Sequence, residues 1–237
     1  MSDKPLDKKI ALVTGATKGI GRAVAIAYAK AGAHVIALGR QTSALESLDD
    51  QIKADGGSAT LVDMDLKDFD SIDRLGGAIH ERWGKLDILV GNAAILGPVT
   101  PLGHIKPKNW QDLVDVNITA NWRLIRSFDP LLRQSDAARV IFVTSGAAHS
   151  SKPYVGGYAM SKAALEVIAK TYAAETEDTA IRVNIIDPSH TRTEMRAAYM
   201  PGEKPETVKE PTALAPLFLE LASDSITDTG KVFTYKD

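Results

Sequence analysis

Short apolar runs alternate with amphipathic stretches along almost the whole chain, and this alternation restricts the fold more than any other feature. Runs of this length are typical of strands buried on both faces of a parallel sheet. The predicted strands are residues 9–13, 33–38, 60–66, 86–90, 139–144, 181–186 and 230–235, and the predicted helices are residues 22–31, 43–54, 70–83, 109–126, 156–175 and 212–222. The alternation predicts an α/β protein, a single-domain doubly wound parallel sheet with helices on both faces.

Composition limits the size and the partners of this domain. The 237 residues are 44% hydrophobic, enough for one core, so residues 1–237 are predicted to form one domain that begins with a polar tail at residues 1–8. A net charge of −2 without blocks of like charge disfavours nucleic acid and membrane surfaces as partners. No apolar run approaches the roughly 18 residues of a membrane span. With no cysteine in the chain, a cytoplasmic location is expected.

A glycine-rich turn, Gly15-x-x-x-Gly19-x-Gly21, joins the first predicted strand to the first predicted helix. Gly15 permits a tight turn, and Gly19 and Gly21 let the backbone and the helix approach each other closely. The N-terminus of a helix offers free N–H groups and a positive dipole to a phosphate. The unit therefore predicts a pyrophosphate site, and a glycine-rich connector without a ligand is the simpler alternative.

Two cations indicate which dinucleotide this turn would bind. In NAD-binding units an acidic residue follows the glycines by about 20 residues and binds the ribose hydroxyls. Here the second strand ends at Gly39-Arg40, and no acidic residue appears between this strand end and Glu46. Arg40 offers a planar fork suited to a phosphate, and Lys18 adds a second cation. The two residues predict the 2′-phosphate of NADP, and two solvated surface cations are the alternative.

Tyr158 and Lys162 are four residues apart in a predicted helix, so their side chains lie on one face, one turn apart. An unperturbed tyrosine has a pKa of about 10, too high for easy proton transfer near neutral pH. A cation at ~4 Å, at an effective dielectric of ~20, favours the phenolate by roughly 4 kcal/mol, or about three pKa units. The spacing predicts that Lys162 lowers the pKa of Tyr158 and makes it a general acid/base. The alternative is an exposed tyrosine and lysine on a helix.

Several polar or small residues fall at or just past predicted strand ends, which right-handed crossovers place along one edge of the sheet. These residues are Gly15, Arg40, Asp65, Asn92, Ser145 and Pro188. A loop between Ser145 and Tyr158 would bring the serine hydroxyl beside the phenol. Asn117 lies inside a predicted helix, where asparagine competes for backbone hydrogen bonds. A structural asparagine with satisfied hydrogen bonds is the alternative to a functional one.

The order of these motifs resembles that of the short-chain dehydrogenase/reductase family, whose members have a Rossmann fold. The matching positions span nearly the whole chain and are Thr14-Gly15, Gly19-Ile20-Gly21, Asp65-Leu66, Asn92-Ala93-Ala94, Asn117, Ser145, Tyr158, Lys162, Arg182-Val183-Asn184, Pro188 and Thr193. Within the family, residues 109–112 and 191–196 look most similar to a poorly characterised bacterial oxidoreductase group. The resemblance implies an NADP(H)-dependent oxidoreductase that interconverts a carbonyl and an alcohol in a small-molecule substrate.

The resemblance also implies roles for individual residues. Tyr158 would be the general acid/base, and Ser145 would hold the substrate oxygen. Lys162 would lower the pKa of Tyr158 and bond to the nicotinamide ribose, and Asn117 would support a water in a proton relay. The residues implied to bind the cofactor NADP (NADPH) are Gly15, Thr17, Lys18, Gly19, Ile20, Gly21, Arg40, Asp65, Leu66, Asn92, Ala93, Ala94, Tyr158, Lys162, Pro188, Thr191 and Thr193.

Three positions depart from the family pattern. Ala94 stands where the family has the glycine of Asn-Asn-Ala-Gly, Ser189 stands where glycine usually follows Pro188, and the common closing Asp-Gly-Gly is missing. Ser189 therefore replaces the most permissive residue at its position. The alternative to an enzyme is a nucleotide-binding regulatory or scaffold protein of the same fold without significant turnover. Retention of Tyr158 and Lys162 favours the enzyme.

The remaining expectations concern the surroundings of the site. The polar stretch 191–211 is predicted to be a mobile lid over the substrate. The five histidines are scattered without ligand spacing, so no metal site is predicted, and His149 and His190 are expected to line or flank the pocket. The resemblance implies a homodimer or homotetramer built through the helices that carry Asn117 and Tyr158.

Overall fold

Seven parallel strands form one sheet in the computed structural model, which describes residues 4–236. The strands are β1 (Ile10–Thr14), β2 (His34–Gly39), β3 (Ser58–Asp63), β4 (Ile88–Gly91), β5 (Arg139–Val143), β6 (Arg182–Asp187) and β7 (Val232–Thr234). They lie in the order β3-β2-β1-β4-β5-β6-β7. The chain thus winds outward in one direction from β1 and in the other from β4, so the strand order reverses between these two neighbours. A crevice forms at this reversal in doubly wound sheets.

Eight α-helices and several short 3₁₀ turns connect the strands within residues 4–236. The helices are α1 (Gly19–Lys30), α2 (Thr42–Ala54), α3 (Phe69–Trp83), α4 (Pro107–Leu113), α5 (Ala120–Leu132), α6 (Gly156–Glu175), α7 (Glu194–Tyr199) and α8 (Ala215–Ala222), and a π-helical segment (Val114–Thr119) joins α4 to α5. None of these helices combines the length and the hydropathy needed to cross a lipid bilayer.

The sheet is apolar on both faces, and a separate hydrophobic core covers each face. Successive residues of a strand point to opposite faces. In β1, Leu12 accordingly belongs to the core shared with α3, α5 and α6, and Val13 to the core shared with α1, α2 and α8. Both side chains are completely buried. Burying a side chain of this size stabilises the fold by about 1.5–3 kcal/mol, so the sheet edge that carries the loops rests on a rigid support.

The predicted doubly wound parallel sheet is confirmed, and α6 has the predicted bounds, but two predicted segments are wrong in detail. The strand predicted at 60–66 ends at Asp63, so Asp65 lies two residues beyond it instead of at its end. The helix predicted at 109–126 is three segments with different hydrogen bonding that continue to Leu132. The other strands and helices begin and end within a few residues of the predicted bounds.

The beginning of the chain packs against the domain. Of the tail predicted at residues 1–8, residues 1–3 lie outside the described part of the structure. Leu6 is buried, and its backbone N–H donates to the carbonyl of Ala31 at 2.9 Å. Residues 4–8 therefore cover the C-terminal end of α1 and the connection from α1 to β2, and this role is structural.

The glycine turn after β1 has almost no free space. A Cβ atom on Gly21 would lie 2.2 Å from the carbonyl oxygen of Gly15 and 2.6 Å from Nδ2 of Asn92. Gly15 and Gly19 have positive φ angles of 65° and 55°, which L side chains rarely adopt. The first turn of α1 can therefore approach the end of β1 only because these residues are glycines.

Gly21→Ala tests this close approach. The added methyl must displace backbone, so we expect a loss of about 1–3 kcal/mol in the free energy of unfolding, measured by urea denaturation. Gly77→Ala is the matched control, because Gly77 also lies in a helix and a Cβ atom there meets nothing within 4 Å. We expect this control to be neutral or slightly stabilising. Equal effects of the two substitutions would contradict the packing argument.

Candidate active site

A large cleft of about 1320 Å³ opens along the carboxyl ends of the strands, where the strand order reverses. Nearly all sequence-predicted site residues line it, in five groups: the glycine turn after β1, the segments after β2 and β3, the ends of β4 and β5, the start of α6 and the segment after β6. Gly21 and Asn117 do not line the cleft and are buried beneath it. The structure thus brings together residues that are as far as 178 positions apart in the chain, from Gly15 to Thr193.

Thr14 links β1 to the end of β4, where the strand order reverses. Sequence reasoning gave this residue no role. Its hydroxyl donates to the carbonyl of Val90 at 3.1 Å and accepts from the backbone N–H groups of Asn92 and Ala93, both at 3.0 Å. Nδ2 of Asn92 returns a bond to the carbonyl of Thr14 at 2.9 Å. The one signal in the sequence was the threonine directly before Gly15, because a buried hydroxyl must find partners.

The N-terminus of α1 faces the cleft, and no acidic residue lies in its first turn. This end of the helix therefore presents free N–H groups and a positive dipole without a competing carboxylate on the same helix. Lys18, at the N-cap, pairs instead with Glu194 at the start of α7, and both side chains are largely exposed. The glycine turn and the predicted lid therefore touch across the cleft.

Arg40 and Asp65 form the far end of the cleft. Arg40 directly follows β2, and its guanidinium lies 3.7 Å from the carboxylate of Asp65. Both side chains are well exposed to solvent, at 62% and 42%. An exposed ion pair of this length contributes little to stability, so the guanidinium can exchange the carboxylate for another anion.

Tyr158 and Lys162 lie on one face of α6, as their spacing predicts, but Lys162 has a different partner. Its ammonium donates to the backbone carbonyl of Val143 at 2.7 Å, at the end of β5. The nitrogen is 5.8 Å from the centroid of the Tyr158 ring. Lys162 is only 2% exposed, whereas Tyr158 is half-buried at the cleft. The ammonium is thus held by the sheet, with the tyrosine ring beside it.

The predicted net fall in the pKa of Tyr158 is wrong in this structure, because burial shifts this pKa upward. Burial raises the pKa of Tyr158 to about 12, hydrogen bonding with Ser145 lowers it, and the negative charge of Asp187 raises it further. Burial also lowers the pKa of Lys162 to about 8. The spacing argument took the dielectric of a surface pair, whereas loss of hydration is the larger effect on both groups. At neutral pH Tyr158 therefore carries its proton.

Asn117 lies in the π-helical segment, and this places its side chain between α6 and the loop after β4. Its amide exchanges two 2.9 Å hydrogen bonds with the backbone of Ile95 and donates a third, also of 2.9 Å, to Oγ of Ser161. Ser161 in turn donates to the carbonyl of Tyr158 at 2.8 Å. Both amide protons of Asn117 are used, so a water could bind only at its oxygens. The backbone carbonyl of Asn117 already accepts from Nδ2 of Asn121 at 2.9 Å.

Ser145 follows β5 by two residues, and a buried carboxylate fixes the backbone around it. Glu166 accepts a hydrogen bond from Oγ1 of Thr144 at 2.8 Å and lies 3.0 Å from Nε2 of His149. These two residues flank Ser145 in the chain. Sequence reasoning missed Glu166, although it lies four residues after Lys162 and therefore on the same face of α6. His149 contacts this carboxylate and flanks the cleft without lining it, and His190 lines the cleft.

The segment after β6 forms the remaining wall. Pro188, Thr191 and Thr193 all line the cleft, and Oγ1 of Thr191 donates to the carbonyl of Pro188 at 3.0 Å. Thr193 caps α7 by accepting from the N–H of Arg196 at 3.1 Å. Within residues 4–236, the histidine and carboxylate side chains form no group of three that could hold a metal ion. The cleft therefore combines a helix end that presents free N–H groups with a buried lysine, a half-buried tyrosine and a half-buried serine.

Comparison with known proteins identifies the family. A family model described as short chain dehydrogenase matches residues 9–204. The chain belongs to the short-chain dehydrogenase family. It is 37% identical over 232 residues to the Escherichia coli (strain K12) protein named uncharacterized oxidoreductase YciK, and the match covers 96% of this chain and 92% of YciK.

Solved structures of short-chain dehydrogenases have the same architecture. A short chain dehydrogenase from Shigella flexneri 2a, complexed with NADP, is 36% identical with a TM-score of 0.94 over 98% of this chain and 99% of that one. One from Escherichia coli CFT073, complexed with NADPH, is 36% identical with a TM-score of 0.92 over 99% of both chains. The predicted family, its Rossmann fold and the likeness to a bacterial oxidoreductase group are therefore confirmed.

The buried ammonium of Lys162 gives this protein a testable pH dependence of stability. Its pKa is about 8 when folded and 10.5 otherwise, so between these values the unfolded chain binds the additional proton. The free energy of unfolding of the wild type should therefore rise with pH in this window, relative to Lys162→Met. The slope is at most about 1.4 kcal/mol per pH unit.

Urea denaturation of both proteins at several pH values between about 7 and 10 measures this difference. With a pKa of about 12, Tyr158 stays protonated in the folded wild type over this range, and its titration in the unfolded chain is common to both proteins. A difference that stays constant with pH would show that the lysine is not held in a desolvated position.

Proposed function

We propose that this chain is an NADP(H)-dependent oxidoreductase that interconverts a carbonyl and an alcohol by hydride transfer, with Tyr158 as the general acid/base. One observation carries the proposal: Ser145, Tyr158 and Lys162 converge at a cleft whose other end is the glycine turn and the N-terminus of α1. Proton-transfer groups and a dinucleotide cradle thus share one site. Oxidoreductase family members that were solved with NADP and NADPH support the choice of cofactor.

The residues of the cleft fit such a cofactor. Gly15 and Gly19 have left-handed backbone, and their loop approaches α1 so closely that side chains would block it. The cleft of about 1320 Å³ exceeds the roughly 300–1000 Å³ of a site for one small ligand. It has room for a dinucleotide and a substrate side by side. The bound cofactor would supply or accept the hydride, and the protein supplies geometry and the proton.

Tyr158 and Ser145 would act on the substrate oxygen. Because the pKa of Tyr158 is about 12, its hydroxyl is protonated at neutral pH and can donate to a carbonyl that receives a hydride. The Ser145 hydroxyl acts on the pKa of this phenol, and both side chains line the cleft, so an oxygen bound between the two hydroxyls would accept from both. In alcohol oxidation the same phenol would accept the proton.

Lys162 and Asn117 would assist the proton transfer by Tyr158 from the buried side of the site. The ammonium of Lys162 is fixed by the carbonyl of Val143 and would stabilise the phenolate that forms when Tyr158 gives up its proton. Asn117 holds Ser161 and, through it, the turn of α6 that carries Tyr158. We assign the relay water of the sequence hypothesis to the backbone carbonyl of Asn117, which lies in the π-helical segment and also accepts from Nδ2 of Asn121.

The 2′-phosphate of NADP would bind at the end of β2. Arg40 is exposed there and pairs loosely with Asp65, so a dianionic phosphate can displace the carboxylate. Lys18 lies closer to the first turn of α1 and would bind the phosphates there. Asp65 and Leu66 would contact the adenine, Asn92, Ala93 and Ala94 its ribose, and Pro188, Thr191 and Thr193 the nicotinamide.

Two further parts of the structure complete the proposal. Residues 191–211 would be the lid over the substrate, since both ends of this excursion meet where Thr191 pairs with Lys209 and α7 borders the cleft. A homodimer or homotetramer would form through α5 and α6. Trp122 and Val167, one on each helix, are 46% and 66% exposed, and covering large apolar side chains favours association.

Tyr158→Phe tests the central assignment. The ring still packs and only the proton donor is lost, so we expect NADPH consumption with a panel of ketones, aldehydes and quinones to fall by at least about 100-fold. Affinity for NADPH, measured by fluorescence titration, should change by less than about threefold. Activity retained by this variant would remove the acid/base role. Tight NADPH binding without turnover in the wild type would favour a regulatory protein of the same fold.

Arg40→Ala tests the cofactor preference. Loss of a charge-assisted phosphate contact should weaken NADPH by about 10- to 100-fold and leave NADH nearly unchanged. Arg74→Ala is the matched control, since Arg74 is similarly exposed, pairs with Asp68 at a similar 3.6 Å and lies outside the cleft. Dissociation constants of both cofactors for the three proteins decide the question. Equal losses for NADPH and NADH in Arg40→Ala would contradict the assignment.

A further inference from the structure

Ser189 occupies a backbone conformation that favours glycine. Its φ angle is 53°, and it is one of only three non-glycine residues with positive φ within residues 4–236. L residues with a Cβ atom adopt this left-handed region at a cost, because Cβ approaches the carbonyl oxygen. Ser189 lines the cleft directly after Pro188. A strained residue therefore forms the wall beside the proposed nicotinamide site, and something must hold it there.

Asp187 supplies the interaction that holds this turn. Its Oδ1 accepts a hydrogen bond from the backbone N–H of Ser189 at 3.0 Å. A carboxylate that bonds to the N–H two residues later closes a local turn, and the intervening Pro188 favours the same turn. The backbone of Asp187 is anchored from the other side, since its carbonyl accepts from the N–H of Tyr235, just past β7, at 3.0 Å.

The same carboxylate also faces the catalytic side of the cleft. Its Oδ2 lies 3.4 Å from the position that a Cβ atom on Gly146 would take, next to Ser145. Among the cleft-lining acids within residues 4–236, Asp65, Glu194 and Glu210 each pair with a lysine or arginine, and Asp187 does not. Its charge is therefore not neutralised by an ion pair in the described part of the chain, and it lines the same cleft as Tyr158.

We propose that Asp187 is a positioning residue that holds the strained Ser189 turn through Oδ1 and acts through its charge on Tyr158. The first part depends only on the fold, and the second rests on the proposed function. In this chain an aspartate and a serine together take the place of the glycine usual in the family. The hydrogen bond from Ser189 to Asp187 offsets the strain that a glycine would not have.

The groups that face the Tyr158 phenol determine the sign of the charge effect. Lys162 lies on the same helix, Ser145 follows β5, and Asp187 ends β6. The negative charge of Asp187 favours the protonated phenol and raises its pKa. Removing the charge while keeping the hydrogen-bond acceptor should therefore lower the pKa of Tyr158. Asp187→Asn makes this change, since its amide oxygen can still accept from the Ser189 N–H.

A double-mutant cycle tests the turn. Asp187→Ala should lower Tm by about 2–4 °C and raise the Kd of NADPH about fivefold. Ser189→Gly relieves the strain, so the same aspartate substitution made in the Ser189→Gly protein should lose less than half as much. Asp187→Asn should keep the wild-type Tm. Asp65→Ala is the matched control, because Asp65 accepts from the N–H of Lys67 at 3.0 Å in a similar turn without left-handed backbone. Its Tm loss should be the same with and without Ser189→Gly.

The pH profile of turnover tests the charge, with any carbonyl that the panel identifies. Two high-pH limbs are expected, one near pH 8 from Lys162 and a higher one from Tyr158. The higher limb should move to lower pH by about one unit in Asp187→Asn. An unchanged higher limb would overturn the charge effect.

Two results would contradict the claim that Asp187 holds the Ser189 turn. One is an equal Tm loss from Asp187→Ala in the wild type and in the Ser189→Gly protein. The other is a Tm loss in Asp187→Asn equal to that in Asp187→Ala. If the wild type has no turnover, the proposed function fails, whereas the Tm and NADPH measurements still test whether Asp187 holds the Ser189 turn.

Discussion

The hydroxyl of Thr14 joins the two halves of the sheet at the point where they diverge, and the geometry of the site depends on it. It bonds to the backbone of the strand end and loop at Val90, Asn92 and Ala93. Parallel neighbours would otherwise end in unpaired N–H and C=O groups at this edge. Since these groups are satisfied by one side chain, β1 and β4 can end together and leave the space above them open. The glycine turn enters this space because Gly19 and Gly21, in the first turn of α1, have no side chains that would fill it.

The helix α6 carries most of the proposed proton-transfer machinery and connects each part to a different strand or loop. Lys162 bonds to the end of β5, Glu166 bonds to the residue before Ser145, and Ser161 bonds to Asn117. Positions three and four residues apart share a helix face, so one rigid helix can address all these partners at once. A small shift of α6 would change all of these contacts together, which favours a single arrangement over many. Ser161, Lys162 and Glu166 are almost fully buried, and each has a hydrogen-bond partner, as burial requires.

The sequence allowed prediction of the sheet and of the cleft, because both follow from regular patterns. Apolar runs mark buried strands, and parallel strands place their carboxyl ends along one edge, so Gly15, Asn92, Ser145 and Pro188 could be brought together without coordinates. The π-helical segment around Asn117 could not be predicted, since the pattern of apolar and polar residues along a helix does not reveal a change of hydrogen-bond register. The partners of Thr14 and Glu166 were also missed, because a hydroxyl or carboxylate in a sequence does not state which distant backbone group it will meet.

The pKa of Tyr158 differs most from what the sequence predicts, and the reason bears on the proposed mechanism. Spacing along a helix tells which charges are near each other, but it does not tell how much water each one loses. Lys162 and Tyr158 are both removed from water, so each favours its neutral form, and the pKa values move in opposite directions, to about 8 and about 12. At neutral pH the result is an ammonium beside an intact phenol. This arrangement holds a proton ready on Tyr158 and a positive charge ready for the phenolate that its departure creates. The charge of Lys162 is already in place and poorly screened, so its attraction for that phenolate during proton transfer is stronger than it would be in water.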